Sequence, residues 1–192
     1  MANKRTVALA TPEYNLIIDT MRNGFTFKGK MFRSNNRIAT VLVLECNLGL
    51  RIGDILGLHL NDIIKDGNRY RLDITEDKTG KARTFTVPME IYNYIKMYCL
   101  ENKIKATATI FDISERAVQK QLKIVCDYLG LTGISTHSFR KKFATDIYIN
   151  SDYNIALVRE LLQHSNTNIT QRYIGIRTEQ VEQAIQDHVC LR

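Results

Sequence analysis

Three segments of this chain bring together side chains suited to chemistry on a phosphate. They are Gly49-Leu50-Arg51-Ile52-Gly53-Asp54-Ile55-Leu56-Gly57-Leu58, Thr136-His137-Ser138-Phe139-Arg140, and Leu161-Leu162-Gln163-His164 with Tyr173 nine places further on. A fourth, Asp77-Lys78-Thr79-Gly80-Lys81, has the composition of a hairpin tip and carries a lysine. Breaking a phosphodiester with a protein nucleophile loads negative charge onto the nonbridging oxygens of phosphorus. Guanidinium forks bind such oxygens bidentately and stay charged at neutral pH. A phenol, whose free pKa is roughly 10, needs cationic surroundings to become a useful nucleophile near neutrality. His137 precedes Arg140 by three residues, on the same helical face, where it can orient or deprotonate such a nucleophile. No carboxylate pair and no metal-ligand cluster accompanies these segments.

Taken singly, each residue has a commoner explanation. His and Arg at helical spacing usually mark a solvated basic face, and Arg51 beside an apolar helix reads as a structural ion pair. Lys78 alone is a solvent-exposed turn lysine, and His164 a packing histidine. Tyr173 alone is a half-buried aromatic with a wet hydroxyl. Nine of the 192 residues are tyrosine, so one falls nine places after a given histidine by chance about 5% of the time. What outweighs these readings is the conjunction. Two arginines, a lysine, two histidines and a late tyrosine occur in one order, each in a suitable element.

The elements that must position them follow from periodicity and punctuation. Thr11-Pro12-Glu13 opens a first helix, with Thr11 as N-cap, running to about Met21. Residues 23–36 read as a basic loop holding Lys28, Lys30 and Arg33. Residues 37–49 are apolar on most sides, a buried helix ended by Gly49, and a short helix follows from Leu50. The period then changes. Residues 62–65, 70–74 and 83–87 alternate as three short strands joined by the turn Asp66-Gly67-Asn68 and by the Lys78 tip. Helical spacing returns over about 89–102, 114–129, 136–149, 154–163 and 177–189. This is an α+β chain: a mostly helical single domain with a small three-stranded antiparallel sheet.

Bulk properties agree with an ordinary globular protein of that size, at 44% hydrophobic and 24% charged residues. No run of apolar residues reaches the length of a membrane span and the amino terminus lacks a signal-peptide core, so a cytoplasmic location is expected. Cys46, Cys99, Cys126 and Cys190 are too scattered for a disulfide framework or a zinc site and read as reduced thiols. The formal charge of +7 suggests an anionic partner, and nucleic acid is the commonest for a basic domain.

In order and approximate spacing, the boxes Gly49–Leu58, His137–Arg140 and His164 to Tyr173, with the hairpin lysine, resemble those of the tyrosine recombinases, the phage-integrase family. The resemblance runs from about Arg37 to Gly175. It implies a catalytic domain that cleaves and rejoins double-stranded DNA for integration, excision or inversion. Tyr173 would attack phosphorus to form a 3′-phosphotyrosine, and Arg51 and Arg140 would clamp the nonbridging oxygens. His164 would add a hydrogen bond, His137 would orient or deprotonate the tyrosine, and Lys78 would protonate the departing 5′ oxygen. Neither ATP, metal nor any other cofactor would be required. Asp54 stands where many relatives have glutamate and would orient Arg51 or Lys78. Gln163 replaces a glycine common in the family, and Ser138-Phe139 fills the place where leucine often precedes the arginine.

The same resemblance divides the chain. Residues 1–35 would be an N-terminal helix and basic loop within the domain, 36–175 the catalytic domain, and 176–192 a tail helix. That tail, amphipathic through Val181, Ala184, Ile185, His188 and Val189, either folds back on its own core or docks on a neighbouring protomer. The family assembles as a ring of four on two DNA sites, sometimes with an accessory DNA-bending protein. Most relatives carry a core-binding domain ahead of the catalytic one. Here only about 35 residues precede the first box helix, so the chain is either a short single-domain recombinase or a fragment of a longer integrase, and Met1-Ala2-Asn3-Lys4 leans toward the first. Backbone contacts to DNA are expected from Lys28, Lys30, Arg33, Arg37, Lys141 and Lys142. Two competing readings share the fold. A type IB-like topoisomerase would relax supercoils without exchanging partners, and a catalytically silent DNA-binding regulator would form no covalent adduct.

Overall fold

The computed structural model describes residues 7–76, 80, 82–174 and 185–188, with only the backbone of Arg172. Helix α1 spans Thr11–Asn23. Its N-cap is Ala10 rather than Thr11, because the Glu13 carboxylate reaches back to accept from the Ala10 backbone N–H at 2.7 Å. The chain then pairs β1 (Phe25–Phe27) with β2 (Lys30–Phe32) in an antiparallel hairpin, where a loop was expected. The alternation Phe25-Thr26-Phe27 and Lys30-Met31-Phe32 about Lys28-Gly29 carries the reason. Both turn residues have positive φ, as a two-residue hairpin turn requires, and glycine supplies one at no steric cost. Phe25 stacks on Phe32 at 4.9 Å and on Tyr128 at 4.6 Å, which docks the hairpin on a later helix.

Helix α2 (Asn36–Leu48) is the central element and packs against both α1 and α6. Asn35 caps it by accepting from Ile38 N–H at 3.1 Å, and Ile38, Val41, Leu42, Leu44 and Leu48 are buried. Each such side chain contributes about 1.5–3 kcal/mol of burial. Gly49 ends the helix in the left-handed region, and α3 (Ile52–Leu56) starts directly after Arg51. Strands β3 (Ile63–Asp66), β4 (Arg69–Thr75) and β5 (Ala82–Val87) form the expected antiparallel sheet in the order β3-β4-β5. Leu72 faces Ile63 and Phe85, and Ile74 faces Arg83.

The remaining elements are helices α4 (Met89–Glu101), α5 (Glu115–Leu129), α6 (Thr136–Asn150), α7 (Ile155–Leu162) and α8 (Thr167–Tyr173). Ser114, Asn154 and Asn166 each cap the helix that follows. Helix α8 has no counterpart among the expected helices, because in the sequence Tyr173 reads as a motif position and not as the end of an element. The expected tail helix over 177–189 lies outside the described residues except for a helical turn at 185–188. The main core lies between α1, α2, α3, α5 and the inner face of the sheet. A smaller cluster of Ala144, Val158 and Leu162 sits under α6 and α7, with Phe143 and Tyr173 packed against it. Among the described residues no helix is long and apolar enough to cross a membrane.

Candidate active site

The seam between the two clusters is where the chemistry-bearing residues meet. The Gly49 turn, at φ +58, reverses α2 into α3 and leaves the Gly49 carbonyl pointing into that seam. Arg140, in the second turn of α6, is fully buried there. Its Nη1 donates to Gly49 O at 2.5 Å and its Nη2 to Leu162 O at 3.2 Å. Its Nε has no hydrogen-bond partner among the described residues. Arg51, a fifth exposed, donates from Nη1 to Glu76 Oε2 at 2.5 Å.

Glu76 and Arg83 complete the arrangement, and neither stands out in the sequence motifs. Glu76, just past β4, is fully buried at its side chain and accepts from Arg51 on one oxygen and from Arg83 Nη1 on the other, at 3.2 Å. Arg83 also donates from Nη1 to Gly49 O at 3.4 Å and from Nη2 to Leu161 O at 2.6 Å. One side chain thus ties the sheet, the Gly49 turn and the end of α7 together. A signal for Arg83 existed. In β5 the inward positions are 83, 85 and 87, so a cation occupies the apolar side of an alternating strand.

Electrostatically the seam is short of negative charge. Among the described residues, three guanidinium groups face two buried carboxylates: Glu76, which bonds Arg51 and Arg83 and acts on Arg140, and Asp54, which acts on Arg83. Burial pulls the Arg83 pKa down to about 10, helped by the Arg140 charge and opposed by Glu76. Burial also lowers that of Arg140, against the field of Tyr173 and Glu76. His164, at the end of α7, drops to about 4 through burial and the charges of Arg140, Arg51 and Arg83, so its ring is neutral near pH 7. Its Nδ1 lies 3.1 Å from the Thr170 hydroxyl. If that hydroxyl donates, the ring proton resides on Nε2.

Tyr173, the last residue of α8, closes the seam. Its ring centroid is 4.7 Å from that of His164 and 6.3 Å from that of His137. The Arg140 Cζ and the Lys141 Nζ each lie 5.9 Å from the same centroid. Arg51, His137, Arg140, His164 and Tyr173 therefore lie at one seam of the fold. Lys78 lies outside the described residues. Asp54 is buried on α3, and Glu76 holds Arg51. Gln163 takes the left-handed conformation at φ +53, a backbone position natural to glycine. Its side-chain amide donates to Ala82 O at 3.1 Å.

The expected DNA contacts divide. Lys28, Lys30 and Arg33 are exposed on the β1–β2 hairpin, with the two lysines lying over Phe27 and Phe32. Arg37 is exposed and donates to Asp112 O at 2.8 Å. Lys142 departs from expectation. It is buried, bonded to Thr11 Oγ1 at 3.0 Å and to Asp146 at 2.9 Å, so it joins α6 to α1 and faces away from solvent. Helical periodicity explains the difference, because Lys141 and Lys142 point about 100° apart. Cys46, Cys99 and Cys126 are buried free thiols.

The phage integrase family model matches residues 8–180. Among curated proteins, the chain is 34% identical to the probable integrase/recombinase YoeC of Bacillus subtilis, over 78% of this chain and 83% of that one. It is 30% identical to tyrosine recombinase XerC of Bradyrhizobium diazoefficiens, over 76% of this chain but only 47% of that protein, about half its length. Among solved structures, XerH recombinase in a post-cleavage complex with its difH substrate superposes with a TM-score of 0.74 at 19% identity, covering 97% of this chain and 54% of that one. The catalytic domain of bacteriophage HP1 integrase gives 0.65 at 18% identity, covering 95% of both chains.

Proposed function

Because this chain belongs to the phage integrase family, we propose that it is a site-specific DNA recombinase that cuts and rejoins double-stranded DNA through Tyr173. The observation that carries the reading is the cationic setting of the tyrosine ring: Arg140 and Lys141 each lie 5.9 Å from its centroid, and Arg51, Arg83 and Arg140 outnumber the carboxylates of Glu76 and Asp54 that act on them. Such a cluster is short of an anion, and a phosphodiester at the Tyr173 hydroxyl supplies it. The Tyr173 oxygen attacks phosphorus and forms a 3′-phosphotyrosine as the 5′ oxygen leaves. His137 takes the phenolic proton, and Lys78 returns one to the leaving oxygen. Arg51 and Arg140 exchange Glu76 and the backbone carbonyls for the nonbridging oxygens. His164 donates to the same oxygens from Nε2, a role that its neutral ring with Thr170 on Nδ1 supports. Arg140 is fully buried, with its Cζ 5.9 Å from the Tyr173 ring centroid, so a phosphate reaches it only after what covers it rearranges.

The DNA backbone is held by Lys28, Lys30 and Arg33 on the hairpin, by Arg37 at the start of α2, and by Lys141 beside the Tyr173 ring. The tail beyond Tyr173 links protomers into a tetramer on two DNA sites. The test is covalent trapping. Wild-type protein and Tyr173→Phe are incubated with nicked suicide substrates carrying candidate target ends, then run on a denaturing gel. A shifted band for wild type that is absent for the phenylalanine variant is expected. DNA binding without any wild-type adduct would instead indicate a regulator on this fold. Relaxation of supercoils without joining of two partner duplexes would indicate a topoisomerase.

A further inference from the structure

Two buried polar groups behind the clamp lack hydrogen-bond partners among the described residues, and they are chemically complementary. Both carboxyl oxygens of Glu45 are sealed from solvent with no hydrogen bond, and so is Nε of Arg140. Leaving a carboxyl unbonded in a core is costly, and most such groups are paired. Glu45 sits on α2 one turn before Gly49, whose N–H bonds to the Glu45 carbonyl at 3.1 Å and whose own carbonyl receives Arg140 Nη1. Helix α2 packs on α6, which carries Arg140, and the Glu45 and Arg140 side chains are both buried. Arg140 is also the principal charge acting on Glu45, with Glu115 opposing it.

We propose that Glu45 is a positioning residue for Arg140. In the free protein both Nη groups of Arg140 are held by the Gly49 and Leu162 carbonyls. When a phosphate draws those groups away, the guanidinium shifts and its Nε–H is taken up by the Glu45 carboxyl, which fixes the plane of the fork against the anion. Burial raises the Glu45 pKa well above the usual carboxylate range, with the Arg140 charge opposing the rise. What the Nε–H needs at that place is an acceptor oxygen, which a glutamine amide also offers and a leucine does not. Glutamine should therefore replace Glu45 and leucine should not. The proposal rests on the phosphate-binding role of Arg140 given above.

Arginine side-chain NMR on the full chain, with orthovanadate as a phosphate mimic, tests it without any target DNA. On vanadate addition the Arg140 Nε–H resonance is expected to move downfield in wild type and Glu45→Gln, and to stay in place in Glu45→Leu. Vanadate that binds the wild-type chain without moving that resonance overturns the positioning role. Vanadate that does not bind at all overturns the phosphate site itself. A second readout is adduct formation at saturating suicide DNA. Glu45→Gln should match wild type within about twofold, and Glu45→Leu should slow by about tenfold with unchanged DNA affinity, a fraction of what loss of a direct donor costs. Equal rates in wild type and Glu45→Leu, or equal losses in Glu45→Gln and Glu45→Leu, leave Glu45 as packing only. If Glu45→Leu fails to fold, the wild-type vanadate shift and the Glu45→Gln rate decide the matter.

Discussion

Arg83 and Arg140 share one acceptor, each donating an Nη1 hydrogen to the carbonyl oxygen of Gly49, at 3.4 and 2.5 Å. Bringing two buried guanidiniums to one backbone oxygen is unfavourable unless negative charge lies close by. Glu76 supplies it, and its second oxygen also holds Arg51. The site is thus braced by the Glu76–Arg83 pair before any substrate arrives.

Removing that brace should be strongly destabilising. Arg83→Met leaves the Glu76 carboxylate buried with one cation fewer and releases the end of α7 at Leu161. A loss of about 3–5 kcal/mol is expected, as for other broken buried pairs. Urea unfolding measures it, and Arg83→Met combined with Glu76→Gln should recover part of the loss. A single variant within about 1 kcal/mol of wild type would mean the network carries no structural load.

Gly49 is the second point of leverage. At φ +58 an alanine costs about 1–2 kcal/mol from backbone conformation alone. Its Cβ would also meet the Phe143 ring, which must then move. Gly49→Ala is expected to lower the thermal midpoint and, by displacing the shared carbonyl, to slow DNA cleavage. An unchanged midpoint would show that the turn tolerates a side chain.

The neutral state of His164 has a consequence for acid stability. Its pKa falls from an ordinary 6.5 to about 4 in the folded chain. Between those values the unfolded chain binds a proton that the folded chain rejects. The contribution is therefore fully present above about pH 6.5 and declines as pH falls toward 4. His164→Gln should flatten that part of the stability–pH curve in urea titrations. Parallel curves for the two proteins would contradict the assignment.

The two sets of basic residues should behave oppositely. Neutralising Lys28, Lys30 and Arg33 should weaken DNA binding and reduce the dependence of log affinity on log salt by about 0.9 for each phosphate left without its cation. Stability should barely change, because these side chains are exposed. Lys142→Met should do the reverse. It gives up hydrogen bonds to Thr11 and Asp146, each worth about 1 kcal/mol, and leaves the salt dependence alone. Gel shifts over a salt series, with melting curves alongside, separate the two. A salt slope changed by Lys142→Met would return that lysine to the DNA face.

The helices and the three-stranded sheet were legible because their signals are local. Apolar residues at helical period, Gly49 as a stop, alternation over 62–87 and the turn at Gly67 can be read without knowing what packs on what. The β1–β2 hairpin is equally local, yet its basic residues mask the alternating aromatics on either side of Lys28-Gly29. Helix α8 was not legible, because Tyr173 reads in the sequence as a motif position and not as the end of an element.

The amino-acid sequence alone determined the chemical types and their order: two boxed arginines, two histidines and a tyrosine, each in an element suited to carry it. Their meeting at one seam, the Glu76–Arg83 brace beneath them and the burial of Lys142 were decided only in three dimensions. Chain order specifies which groups exist and which lie on one helical face. Ion pairs between β5, the Gly49 turn and α7 depend on how distant elements pack, and burial depends on what covers a residue from elsewhere in the chain. Arg83 is the clearest case. A lone cation on the inner side of a strand indicates that a partner must exist, but only the folded chain identifies it as Glu76.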